Sequence, residues 1–480
     1  MGKPGMVSIS NEHLATLRSQ IEGELLCAGD AGWQEAVLLW NGMVTDAPAW
    51  VLQVSAVRDV VAAVRFAREH SVPLGIKGGG HNIAGTAIAD GGLTLDMSRM
   101  RNVVVDRDKK LAHVEPGCLL QDVDRATQEH GLATVLGFMS EVGVAGLTLG
   151  GGLGYLTRRF GWTVDNLQEV EVVTADGAIL LANRVEHADL FWALRGGGGN
   201  FGVVTRFTFR LHEVGPTVYG GLIAWPFARA DEILRGYREL TLEAPRELSA
   251  WLIMLKAPSA PFVPEAWHGE RICAMSICFS GELTRLEQAM APIRALGSPV
   301  FDLLHEQPYV ELQSYLDCTE PKGNHYYWKT ELAAELSDAL LTTWRELAAE
   351  CPIPEAELGI LHLGGKLNEH ARDDGAVGNR DARYALGALG MWHPSEPDAA
   401  AFQRWVRSAW QRFRAFSTGG NYVNFQTADE DDSRVRASYG SNYERLSRIK
   451  RLYDPTNLFH ANRNIEPHRR DETIGAVKKH

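Results

Sequence analysis

Three glycine clusters and one histidine carry the first sign of chemistry in this 480-residue chain. They are Gly78-Gly79-Gly80 followed by His81, Gly150-Gly151-Gly152 followed by Leu153-Gly154, and Gly196 to Gly199 before Asn200-Phe201-Gly202. Without a Cβ, such runs let backbone N–H groups converge on an anion and let the chain approach a flat ring. One cluster alone is as readily a tight turn or bulge. Three in one half of the chain exceed what turns require. Gly197, Gly199 and Gly202 match GxGxxG, yet a helical DLFWALR precedes them and a β-type VVTRFTFRL follows. A dinucleotide fingerprint needs the reverse order, so that reading is rejected, and no GxxxxGK[ST] phosphate loop exists. His81, directly after a triple glycine, is the sharpest residue, although a lone histidine is more often a hydrogen-bonded structural group.

These residues need a scaffold, and the periodicity supplies one. From Ala49 short β-type runs alternate with helical ones. WVLQV (Trp50 to Val54) reads as a strand, and Ser55 is expected to cap a helix whose apolar stripe is Val57, Val60, Val61 and Val64. VPLGIKGGGHN is a strand entering a glycine turn. LTLDM and NVVVD are further strands, and CLLQDVDRATQEHG is a helix ended by Gly131. VEVVTADGAILLAN reads as a hairpin about Asp176-Gly177. Near Val214 the pattern changes to long β-type runs (VYGGLIAW, LSAWLIMLKA, RICAMSICFSG, GILHLGG, YALGALGMW) separated by helices. That half is read as an antiparallel sheet backed by helices. SNYERLSRIKRLYDP is a helix with Ser441 and Glu444 at capping-box spacing, stopped by Asp454-Pro455. The fold class is therefore α+β with two domains.

Composition excludes several functions. Lys plus Arg number 48 against 60 Asp plus Glu, a net charge of −12, which argues against nucleic-acid binding. No apolar run reaches 18 residues, so no membrane span is expected, and no signal peptide is visible. Six scattered cysteines (Cys27, Cys118, Cys273, Cys278, Cys318, Cys351) with no CxxC spacing suggest buried thiols in a reducing cytoplasm, and no metal site is expected. The acid run Asp429 to Asp432 reads as a solvated loop.

In the second half, Tyr326, Trp328, Lys329, His362, Lys366 and Trp392 are the substrate candidates. Strand alternation places His362, Gly364 and Lys366 on one face, which is expected to look into the pocket. The aromatic content suggests a flat, apolar substrate, although most of the 13 tryptophans belong in the core. Tyr422 and Asn424 lie in GGNYVNF, where the chain returns toward the first half. A packing role for Tyr422 is open, because a buried tyrosine commonly bonds its hydroxyl.

IKGGGHN (Ile76 to Asn82), VGVAGLTLGGGLG (Val142 to Gly154), DLFWALRGGGGNFGVVT (Asp189 to Thr205) and YDPTNLFHANRNI (Tyr453 to Ile465) together resemble the berberine bridge enzyme-like branch of the vanillyl-alcohol oxidase flavoproteins. The motifs keep family order and span about Ala49 to Pro467. The resemblance implies a PCMH-type FAD-binding domain over residues 1–213 (core about 46–213) and a substrate domain over 214–418. Residues 419–467 would complete the FAD domain, and 468–480 would form a frayed tail.

The same resemblance implies FAD held by a histidyl bond at His81. The wrapping residues would be Ile76, Lys77, Gly78, Gly79, Gly80, Asn82 and Gly117. A second group would be Val142, Gly143, Val144, Gly146, Leu147, Gly150, Gly151, Gly152 and Gly154. Gly202 and Val203 would serve the adenine side, and Asn462 and Asn464 the C-terminal motif. Many relatives carry a second, cysteinyl link where this chain has Met139, so a single covalent link is expected. Leu147 replaces a histidine of many relatives; the family's catalytic tyrosine often lies in the GGNYVNF motif, where Phe425 replaces a tyrosine, so the resemblance makes Tyr422 and Asn424 the candidates for a polar catalytic role. Val144 matches a small gate residue associated with oxygen access, which favours an oxidase. The implied activity is hydride transfer from a small aromatic, polyketide or alkaloid metabolite to FAD and then to O2. A dehydrogenase with another acceptor and a non-catalytic, drug-sequestering flavoprotein are the alternatives.

Overall fold

The computed structural model describes residues 9–469. The first half builds two sheets. In the four-stranded sheet Glu24–Leu26, Trp50–Gln53, Leu93–Asp96 and Leu74–Lys77 lie in that order, the last three parallel. A five-stranded antiparallel sheet follows, ordered Val103–Asp106, Leu111–Val114, Val203–Arg210, Leu167–Val173, Ile179–Asn183. The helix Val57–His70 covers the first sheet with the expected valine stripe. Its cap differs from expectation: the N-cap is Ala56, and Asp59 accepts the amides of Ser55 and Ala56 at 2.9 and 3.1 Å. The same carboxylate accepts the amides of Glu22 and Gly23, so one acid from inside the helix does what the serine hydroxyl was expected to do.

The second half is an antiparallel sheet ordered Phe301–Asp302, Thr217–Pro226, Arg271–Phe279, Leu248–Lys256, Glu357–His362, Tyr384–Trp392, His325–Ala333. Helices Ala230–Glu243, Leu286–Arg294, Asp338–Glu350 and Ala399–Phe413 pack on one face, in one large cluster with Leu252, Met254, Leu358, Ile360 and Ala388. The alternate residues of the same strands turn the other way, toward the first half. Four of the cysteines are buried, and all six are unpaired. No helix among the described residues is long and apolar enough to cross a membrane.

The C-terminal helix Tyr443–Tyr453 begins after a 3₁₀ turn, Gly440–Asn442, with no side-chain cap, so the Ser441–Glu444 capping box does not form. Buried Lys450 anchors this segment by donating to the carbonyls of Asn200 (2.7 Å) and Phe459 (2.8 Å) and to Asp454 (2.7 Å). The expected tail falls, from residue 470 on, outside the described residues.

Candidate cofactor and substrate site

A cavity of about 330 Å³ lies between the glycine loops of the first half and the open face of the large sheet. Its first wall is the glycine architecture. Ile76, Gly78, Gly79, Gly80, His81 and Asn82 line it, as do Val142, Gly143, Gly146, Leu147 and Gly150. Gly202, Val203 and Asn462 close one end together with Gly198, Gly199 and Arg463. Met139 also stands on this wall.

Seven of the expected cofactor residues stand behind the wall instead. Lys77 turns away, its ammonium 2.7 Å from the Ala36 carbonyl. Gly117 packs against the carbonyls of Met97 and Met100, and Pro116 takes the place at the cavity. Val144 is wholly buried among Leu120, Leu136 and Leu149, and its neighbour Ala145 faces the cavity. The helix Val144–Leu149 turns by about 100° per residue, so a shift of one position moves a side chain from wall to core. Gly151 and Gly152 turn the chain with positive φ, and neither they nor Gly154 and Asn464 line the cavity.

His81 has no side-chain hydrogen bond among the described residues and stacks on Trp40, ring centroids 4.7 Å apart and 21° between planes. Burial, assisted by the charge of Lys322, lowers its pKa to about 3. Its imidazole is therefore neutral at ordinary pH, with a free lone pair. From there aromatic contacts run across the cavity: Trp40 to Trp328 (5.5 Å), Trp328 to Phe425 (5.6 Å) and Phe425 to Tyr422 (4.9 Å).

Tyr422 Oη accepts two bonds, from the Gly152 amide (3.0 Å) and from Asn424 Nδ2 (2.9 Å). Burial pushes its pKa up to about 12, so it stays protonated, and with both acceptor sites filled its own proton remains to be donated. Asn424 also donates to the carbonyls of Gly146 and Leu147, which fastens the Tyr422 turn to the helix Val144–Leu149. Tyr422, Asn424 and Phe425 all line the cavity.

The substrate candidates fare differently. Of the six, only Trp328 lines the cavity. Tyr326 lies behind Trp40, stacked at 3.7 Å, and donates to the Pro321 carbonyl. Lys329 is buried and donates to Thr427, Asp429 and Glu430. This also corrects the acid run: Asp429 and Glu430 are ion-paired, and Glu430 is buried. His362 bonds Arg158 at 2.6 Å, and Trp392 packs in the helix-side core. The strand ends at His362, Lys366 lies in an exposed 3₁₀ turn beside Glu369, and the face toward the cavity is the opposite one, Glu357, Gly359 and Leu361.

The sheet wall consists of rows set by register. Trp328, Leu389 and Glu357 stand side by side, then Thr330, Gly387, Gly359 and Ile253, then Ala385, Leu361 and Trp251. Glu320 joins from the loop before His325. Period-two alternation groups Glu357, Gly359 and Leu361 on one face, and the helices packed against Leu358 and Ile360 turn that face to the cavity. One trio, Asp165, His370 and Asp374, brings ligand-type atoms within 4.8 Å, but Arg380 bonds both oxygens of Asp165 and Arg195 bonds Asp374. Guanidinium groups already fill the place a cation would take.

Residues 48–183 match the FAD binding domain family, and residues 421–466 match the family described as berberine and berberine like. An FAD-linked oxidoreductase of Dictyostelium discoideum is 31% identical over 474 residues, covering 97% of this chain and 98% of that one. The chain belongs to the berberine bridge enzyme-like FAD-linked oxidoreductases. The (R)-6-hydroxynicotine oxidase of Paenarthrobacter nicotinovorans is 28% identical over 461 residues, covering 93% of this chain and 97% of that one. The crystal structure of 6-hydroxy-D-nicotine oxidase from Arthrobacter nicotinovorans superposes with a TM-score of 0.82 at 25% identity, over 93% of this chain and 98% of that one.

The residues present fit FAD. The glycine wall leaves backbone amides uncovered beside the cavity, and the Asn462 side-chain carbonyl there is buried with no partner among the described residues. The α+β two-domain architecture agrees with the resemblance seen in the motifs.

Proposed function

We propose that the protein is an FAD-dependent oxidase of a small, flat, largely apolar metabolite, with the flavin held by one covalent bond to His81. The observation that carries this reading is the neutral, unbonded imidazole of His81 on the cavity wall, at the end of the Gly78–Gly80 loop. Met139 stands on the same wall, and a thioether offers no second link. When bound, FAD supplies a ring that accepts hydride and that dioxygen reoxidises, giving hydrogen peroxide.

The chain's own residues bind and orient. Gly78 to Gly80 and Gly143 present backbone amides, and Asn462 offers its unpartnered carbonyl. The open face of the sheet, with Trp328 at one end and Trp251 at the other, presents an apolar surface to the substrate. Tyr422 holds a hydroxyl proton over the cavity and stabilises negative charge by donation, which its high pKa favours over a role as base. Residues 1–213 with 419–467 form the flavin unit in this reading, and 214–418 the substrate unit. The unpaired thiols fit a reducing cytoplasm.

Acid precipitation of purified protein tests the covalent link. Yellow colour stays in the wild-type pellet and leaves it in a His81→Ala variant; colour released from wild type overturns the link. Peroxide release separates the oxidase from its alternatives. Anaerobic bleaching without peroxide in air identifies a dehydrogenase, and no bleaching by any bound metabolite identifies a sequestering protein.

A further inference from the structure

Most buried carboxylates among the described residues have a partner: Asp59 accepts four backbone amides, Asp124 accepts from Gln313, and others pair with a cation. Asp165 has Arg380, Glu331 has Arg434, Glu430 has Lys329 and Asp454 has Lys450. Glu320 and Glu357 break the pattern. Both line the cavity, and neither carboxylate has a hydrogen-bond or ion-pair partner among the described residues. Shelter from bulk water raises the pKa of both, and at Glu320 the charge of Glu357 adds to it. Lys322, two residues from Glu320, acts on His81, and the charges that act on Lys322 belong to Lys77, Glu35, Glu141 and Asp96. The remaining lining is mostly apolar, and its guanidinium, Arg463, donates to the Gln426 and Thr427 carbonyls and to neither acid.

Their placement is specific. Glu357 lies in register with Leu389, which is in register with Trp328. The Glu320 carbonyl accepts from Trp40 Nε1, and the Trp40 ring stacks on His81. The acids therefore stand at the aromatic end of the sheet wall. Beside them the row Gly387–Gly359 carries no side chains of its own, and the Trp251 indole fills the space over Gly359, its nitrogen 2.6 Å from where a Cβ would stand.

We propose that Glu320 and Glu357 form the recognition site for a cationic amine, and that the substrate is a flat, apolar amine lying against Trp328, Leu389 and Trp251 with its ammonium between the two carboxylates. The proposal rests on the reading of this cavity as the substrate site and makes two unassigned residues the determinants of specificity. An ammonium supplies the partner the chain withholds, and in a largely apolar cavity that pairing outweighs the same contact in water.

The test uses the yellow holoenzyme and two matched probes, 2-naphthylmethylamine and 2-naphthylmethanol, titrated by calorimetry at neutral pH. Wild type binds the amine more tightly by about tenfold or more. Glu320→Gln and Glu357→Gln each shrink that preference, and the double variant binds both probes alike while its affinity for the alcohol is unchanged. Equal affinities in wild type overturn the proposal without reference to any variant, as does a preference that survives the double substitution or no detectable amine binding at about millimolar concentration. Amine preference without peroxide release leaves the recognition site standing and sinks the oxidase; peroxide from neutral alcohols alone, without amine preference, does the opposite.

Discussion

Gly79 and Gly143 are pressed backbone to backbone: a Cβ on Gly143 would lie 2.3 Å from the Gly79 nitrogen, and one on Gly79 would lie 2.5 Å from the Gly143 nitrogen. Two loops far apart in the chain thus meet with no room for a side chain, and both line the cavity. Gly143→Ala must force them apart, at a cost of about 1–3 kcal/mol typical of overpacking. The expected outcome is a lowered melting temperature and a lower ratio of flavin to protein absorbance. A variant with full flavin content would show that the loops do not need this contact to hold the cofactor.

Tyr422→Phe removes an oxygen that accepts two N–H groups and retains a proton to donate. Turnover is expected to fall by about a hundredfold with the flavin retained, the scale of losing one positioned donor. Because burial holds the Tyr422 pKa up at about 12, no basic limb from this residue is expected in the wild-type rate profile below pH 10. A basic limb that disappears in the variant would assign Tyr422 as a base instead.

Lys329→Met strips one cation from Glu430 and Asp429 while leaving both acids in place. Glu430 keeps Arg434 at 3.3 Å and Asp429 keeps Arg407, so the expected cost is about 1–3 kcal/mol, read by thermal or urea unfolding. The effect on substrate binding should be small, since Lys329 does not line the cavity. A large change in KM with unaltered stability would contradict that placement.

Glu320 and Glu357 contribute stability to the free enzyme that is lost as pH rises from about 5 to about 8, with buried Asp124 acting in the same sense and the depressed His81, His212 and His362 in the opposite one. The folded pKa values of Glu320 and Glu357 lie at about 8 and about 7, above the unfolded carboxylate value, so at these two sites the native state binds more protons across that window. Other groups near the pair are Tyr326, whose hydroxyl is committed to Pro321, and Lys322, which acts on His81. Stability measured against pH should lose this component in the double variant Glu320→Gln with Glu357→Gln, so that its curve falls less, or rises more, than that of wild type over the same range. An unchanged slope in the double variant would place its origin elsewhere.

Much of the scaffold was legible because its signals are local. The valine stripe of Val57–His70, the Asp176-Gly177 hairpin and the stop at Gly131 follow from spacing within a few residues. Caps were less legible. Ser55 and Ser441 have the right chemistry at the right offsets, yet Asp59 serves the first helix and a 3₁₀ turn opens the other, because several residues can satisfy the same free amides. The glycine wall was legible as a set, while individual members such as Val144 and Ala145 differ by a helical turn angle that motif spacing does not resolve.

The sequence by itself determined the flavoprotein family, the glycine loops and the Tyr422–Asn424 turn, since each is a contiguous run of residues whose backbone freedom or side-chain chemistry is written in order. Only the tertiary structure decided the substrate wall. Which side of the strand Glu357–His362 faces the cavity depends on the helices that cover its other face, and those lie before and after it in the chain. The same packing sends Lys329, His362 and Trp392 inward, and leaves Glu320 and Glu357, 37 positions apart, facing one largely apolar cavity with no cation paired to either among the described residues. A strand's period of two says which residues share a face, and only the layers packed against it say which face is wet.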